Sequence, residues 1–172
     1  MKQFLLPLIM VACFLSENVF FNWTPESVLD GRWILAPRFF AVALILMTIF
    51  YNRSTAIKYG FIFGLLFDVF YTEMLGVYMF VFPFIVYITS KLMKVLQSDF
   101  LIVALVVVID LSVLESILYA LNLLIQRTDL TFGQFLSDRL WATLILNLAF
   151  YLVFGGLLKN VFTRLRREIL DA

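Results

Sequence analysis

The chain has 172 residues, 63% of them hydrophobic and only 15% charged, with a formal net charge of +1 and a mean hydropathy of +1.01. Soluble domains run at roughly 45–50% apolar and about 25% charged. An excess of this size cannot be hidden in one soluble core while much of the chain still faces water, so the composition indicates an all-α, polytopic membrane protein. The single cysteine, Cys13, and the absence of histidine exclude an intrachain disulfide, the usual Cys/His metal sites and every Ser-His-Asp or Cys-His arrangement.

A helix needs about 20 residues to cross the hydrocarbon core, and apolar segments at 4–22, 33–51, 56–72, 75–93, 100–125 and 140–158 predict a bundle of six transmembrane helices. The first opens like a short signal peptide, and Met10-Val11-Ala12-Cys13 faintly resembles a lipoprotein cleavage box. Its apolar run continues through Phe14 and Leu15, so it is read as a span, one that carries Glu17 and Asn18. The second carries Arg38 near its start. The third carries Lys58 and Asp68, and at about 1.5 Å per residue it crosses only if Lys58 snorkels to the interface. Tyr71-Thr72-Glu73-Met74 alone separates it from the fourth, which requires a tight helical hairpin.

The fifth segment holds Asp110 and Glu115, about 140° apart around a helix, with Ser112 and Ser116 extending the polar surface. The longest connection, Gln126 to Arg139, is expected to contain a short amphipathic turn around Leu130-Thr131-Phe132. The sixth segment runs on as KNVFTRLRREIL, whose Arg164, Arg166 and Arg167 form a basic tail suited to anionic headgroups. A topological anchor is the simpler reading of that tail, ahead of a partner site. No boundary or repeat interrupts the chain, and 1–172 is read as one integral membrane domain.

Positive charge sets the expected orientation. With a cytoplasmic N-terminus, the inner surfaces carry Lys2, Arg53, Lys58, Lys91, Lys94, Lys159, Arg164, Arg166 and Arg167. The outer surfaces carry Arg32, Arg38, Arg127 and Arg139. Both termini are therefore expected in the cytoplasm, and Trp23, Trp33 and Trp141 then fall near the outer interface, where indoles are favoured.

Ionisable residues at membrane depth seldom face lipid. Depth places Glu17, Arg38 and Asp68 in the outer half, so Arg38 has two candidate partners, Glu17 and Asp68. Asp110 is expected near mid-depth, Glu115 further out, and Arg139 is the expected partner of Glu115. Gly60, Gly64 and Asp68 recur at i, i+4 and i+8, a stripe that lets another helix approach closely and carries Asp68 into the contact. Satisfied pairs that fix helix packing are the simpler reading of these residues, ahead of recognition of a partner protein's helix and of a proton or substrate path. Asn122 and Asn147 read as interhelical hydrogen-bond donors. There is no phosphate-cradling glycine loop, no acidic cluster for a metal, and nothing that points to nucleic acid or a cofactor.

Gly64-Leu65-Leu66-Phe67-Asp68, a short turn, Leu75-Gly76-Val77-Tyr78 and an apolar helix ending at Ser90-Lys91 together resemble the MreD family of bacterial rod shape-determining proteins. The chain length, the apolar spans and the small loops are also similar to that family. The resemblance implies a non-enzymatic component of the cell-elongation machinery in the bacterial inner (cytoplasmic) membrane. It implies partnership with the bitopic protein MreC, MreB filaments and a RodA-type polymerase with its class B penicillin-binding protein. It also implies a fold similar to the substrate-binding subunits of energy-coupling-factor transporters, with Gly60, Gly64, Asp68 and Gly76 as the family-like positions. The alternative is a solute-binding membrane subunit of a vitamin-type transporter, motivated by the helix count and the polar outer half. A small lipid-modifying enzyme is disfavoured by the missing histidine.

Overall fold

The computed structural model describes residues 4–23, 33–72 and 74–170. Lys2, Arg32, Glu73 and the side chain of Trp23, all used in the sequence reading, lie outside the described residues. Among the described residues the architecture is all-helical. Helix α1 spans Leu5–Trp23, α2 Phe39–Phe50, and α3 Arg53–Phe67 with a π-helical continuation over Asp68–Thr72. Helix α4 spans Val77–Leu92 and α5 Phe100–Leu124. Helix α6 starts with the turn Phe132–Gln134, passes through π-helical Phe135–Leu140 and runs on as Trp141–Leu170. Arg53–Thr72, Phe100–Leu124 and Phe132–Glu168 are long and apolar enough to cross a membrane, and the apolar stretches Leu5–Phe20, Phe39–Phe50 and Val77–Leu92 are shorter.

Helix α2 is the axis of the bundle. Its sequence, FFAVALILMTIF, is apolar on every face, and a helix with no polar side must be surrounded. Every residue from Phe39 to Met47 is buried, and α2 touches each of the other five helices. An aromatic cluster fills one side of it: Phe14 of α1, Phe40 of α2, Phe63 and Phe67 of α3 and Phe82 of α4 pack ring to ring.

The second segment departs from its expected bounds. Residues 33–38 are not helical, and α2 begins only at Phe39. Pro37 supplies the local reason, because it has no N–H and pushes the residue before it out of helical geometry. Irregular backbone at this depth is tolerated only where protein supplies its hydrogen bonds. Here α6 does so. The Ile34 N–H donates to the Asp138 carbonyl at 2.8 Å, and the Ala36 N–H donates to Thr143 Oγ1 at 3.2 Å. Asn147 Nδ2 donates to the Ala36 carbonyl at 3.0 Å.

The other segments need smaller adjustments. Asn52 caps α3, its Oδ1 accepting from the Ser54 N–H at 2.7 Å, so the third helix starts three residues before the apolar run. The sixth is much longer than 140–158 at both ends. Its entry turn is fixed by a capping box between Thr131 and Gln134, and the basic tail continues as helix to Leu170.

Candidate functional site

The polar residues converge where α2, α4 and α6 begin and α3 and α5 end. Asp68 sits at the junction between the α-helical and π-helical parts of α3, fully buried. Its Oδ2 accepts from the Gly76 N–H at 2.8 Å and the Met79 N–H at 3.1 Å, and its Oδ1 accepts from the Tyr78 N–H at 2.7 Å. A helix N-terminus leaves its first N–H groups without partners and favours negative charge. Asp68 answers both needs of α4 from the preceding helix. The connection closes through Gly76, whose φ of +106° is open to glycine and strained for other residues.

The glycine stripe makes this cap reachable. A Cβ on Gly64 would lie 2.6 Å from Met79 Cα, and one on Gly60 would lie 3.2 Å from the Pro83 nitrogen. Both glycines thus face the backbone of α4, and the stripe is consumed inside the α3–α4 hairpin. It is not an open surface for a second protein.

Glu17 plays the same part for α2. Its Oε1 accepts from the Phe40 N–H at 2.7 Å, so a carboxylate of α1 caps the start of the next helix. Asn147 Oδ1 takes the adjacent Arg38 N–H at 2.7 Å. The Arg38 guanidinium makes its ion pair with a third carboxylate, not with either of the two expected for it. Its Nε donates to Glu115 Oε1 at 2.6 Å, and its Cζ lies 5.5 Å from the Tyr78 ring centroid. The expected partnership of Arg139 with Glu115 is present, Nε to Oε2 at 3.0 Å. One fully buried carboxylate of α5 therefore joins the start of α2 to the start of α6 (a bridge worth most where both arginines are fixed by it).

Asp110 stands apart from this cluster. Thr89 Oγ1 of α4 lies 2.6 Å from its Oδ2, and its Oδ1 has no protein partner. Sequence reasoning passed over Thr89 and Thr143. Both are buried threonines within helices rich in apolar residues, and that placement is the signal that marks them. Asn122 is corrected: its amide bonds the Leu118 carbonyl of its own helix at 2.7 Å, as Ser112 and Ser116 bond Val108 and Ser112. Arg164, Arg166 and Arg167 are exposed on the last turns of α6, and Arg164 Nε lies 3.4 Å from Glu168 Oε1.

A second region is chemically the opposite. Between α1 and α6 runs an open groove of about 750 Å³ lined by residues that include Ala12, Ser16, Phe39, Ala149, Phe150 and Phe154. Its one hydroxyl is spent, since Ser16 Oγ donates to the Cys13 carbonyl at 2.8 Å. The groove wall is therefore apolar throughout.

No solved structure matches the chain significantly, so the expected likeness to transporter substrate-binding subunits finds no support there. The family model described as rod shape-determining protein MreD matches residues 2–161. The rod shape-determining protein MreD of Bacillus subtilis (strain 168) is 38% identical over 171 residues, which cover 99% of each chain. The chain belongs to the MreD family of rod shape-determining membrane proteins, and its role is in cell shape.

Proposed function

We propose that this protein is a non-enzymatic part of the cell-elongation machinery in the bacterial inner membrane, with both termini in the cytoplasm. It holds an MreC-like bitopic protein by that partner's transmembrane helix, seated between α1 and α6, and so links it to peptidoglycan synthesis. A RodA-type polymerase with its class B penicillin-binding protein, and MreB filaments, complete the assembly on this reading.

The observation that carries the proposal is the apolar groove. Association in lipid depends on close packing and small interfacial residues. Ala12 and Ser16 stand one helical turn apart on α1, and Ala149 lines the α6 side. Glu17, Asp68, Arg38 and Glu115, by contrast, are occupied with internal caps and ion pairs. A vitamin-type solute would need polar groups to orient it, and this groove offers none that is free.

The test is co-purification of the MreC-like protein with Ala149→Trp, which fills the groove from an exposed position. Recovery is expected to fall at least about tenfold, as a loss of more than about 1.4 kcal/mol of binding free energy requires, with melting of the isolated variant unchanged. Full recovery of the partner would overturn the proposal.

A further inference from the structure

We propose that Asp110 is a proton-holding site, carried as a neutral carboxylic acid whose O–H donates to Thr89 across the α4–α5 seam. The reasoning is a count of hydrogens. Thr89 Oγ1 lies 2.9 Å from the Ile85 carbonyl and 2.6 Å from Asp110 Oδ2. A hydroxyl has one hydrogen to donate, so it can serve only one of these two acceptors. If Asp110 were ionised, the hydroxyl would have to leave Ile85, and Oδ1 would still lack a protein donor. With the proton on Oδ2 the chain closes: the acid O–H donates to Thr89 Oγ1, and the Thr89 O–H donates to the Ile85 carbonyl. What remains is an uncharged carbonyl oxygen, far less costly at this depth than a lone carboxylate.

No cation opposes this assignment among the described residues. Helix α2 contains no titratable group over Phe39–Phe50. On α4, Tyr87 stacks with Arg53 and Lys91, and Tyr78 lies under Arg38. On α6, Arg139 is paired with Glu115, Asp138 accepts from Ser137, the Tyr151 hydroxyl donates to the Phe100 carbonyl, and Lys159 lies over the Phe50 ring. On α5 itself, Glu115 is held by two arginines. Asp110 itself is fully buried, and no ion pair among the described residues includes it.

The occupant of the site is a proton, and the site ties two helices together in lipid without a counter-charge. Infrared difference spectroscopy on the whole protein in nanodiscs, with carboxyl-labelled aspartate, tests it. The wild type is expected to show the carbonyl stretch of a protonated acid in neutral buffer, shifting down on exchange into heavy water. Asp110→Asn is expected to lose the band. Thr89→Val is expected to keep it at higher frequency, because its hydrogen bond is gone. Absence of the band from wild-type protein in neutral buffer, or its survival in Asp110→Asn, would overturn the proposal. Absence of the wild-type band overturns the proposal even if a variant does not fold.

Discussion

The charged corner and the apolar groove divide the labour of this bundle. In the corner, Glu17, Asp68, Glu115, Arg38, Arg139 and Asn147 are buried or half-buried, and each makes a hydrogen bond within the chain. In the groove, Ala12 and Ala149 are exposed and the side chains that line it have no polar contact to offer. The contrast teaches that intramembrane charge is not by itself a mark of function. Here the expensive groups build the scaffold, and the chemically bland surface is the one left for a partner.

The comparison breaks first at Asp68. Asp68→Leu would leave three N–H groups at the start of α4 without acceptors, one buried and two half-buried, the buried one alone at about 1–3 kcal/mol. Loss of the folded protein from membranes, measured as abundance and thermal melting, is the expected outcome; normal abundance with selective loss of the partner would move Asp68 from the scaffold to the interface. Glu115→Leu comes next. It strands two arginines at once, and breaking a buried pair costs about 3–5 kcal/mol, so a large drop in melting temperature is expected. Glu17→Gln sharpens the comparison from the other side. Glutamine keeps a carbonyl oxygen for the Phe40 N–H, so the change should cost under about 1.5 kcal/mol, roughly one hydrogen bond. A loss as large as that of Glu115→Leu would show that the charge of Glu17, and not its acceptor, is what the corner needs.

Much of the scaffold was legible in the sequence, because hydropathy reports helices and depth reports neighbours. Arg139 and Glu115 were paired correctly on depth alone. Arg38 was not, since three carboxylates share its depth and only the packing of α5 against α2 selects Glu115. The cap made by Asp68 escaped notice for a different reason. N-cap residues are sought beside the helix they serve, whereas Asp68 reaches a helix that begins nine residues later. Hydropathy extends the second helix over residues 33–38 because it counts side chains and is blind to where backbone hydrogen bonds go. Pro37 beside Arg38 was the available warning. The groove left no trace in the sequence at all, for it depends on how α1 and α6 diverge around Phe39.

Site-specific photo-cross-linking in native membranes tests the central claim most directly. Probes placed at Ala12 and Ala149 report on the groove, and a probe at Leu105, exposed on α5, reports on a face outside it. The account predicts cross-links to the transmembrane helix of the MreC-like partner from Ala12 and Ala149, and none from Leu105. Cross-links from Leu105 with silence at both groove positions would contradict it.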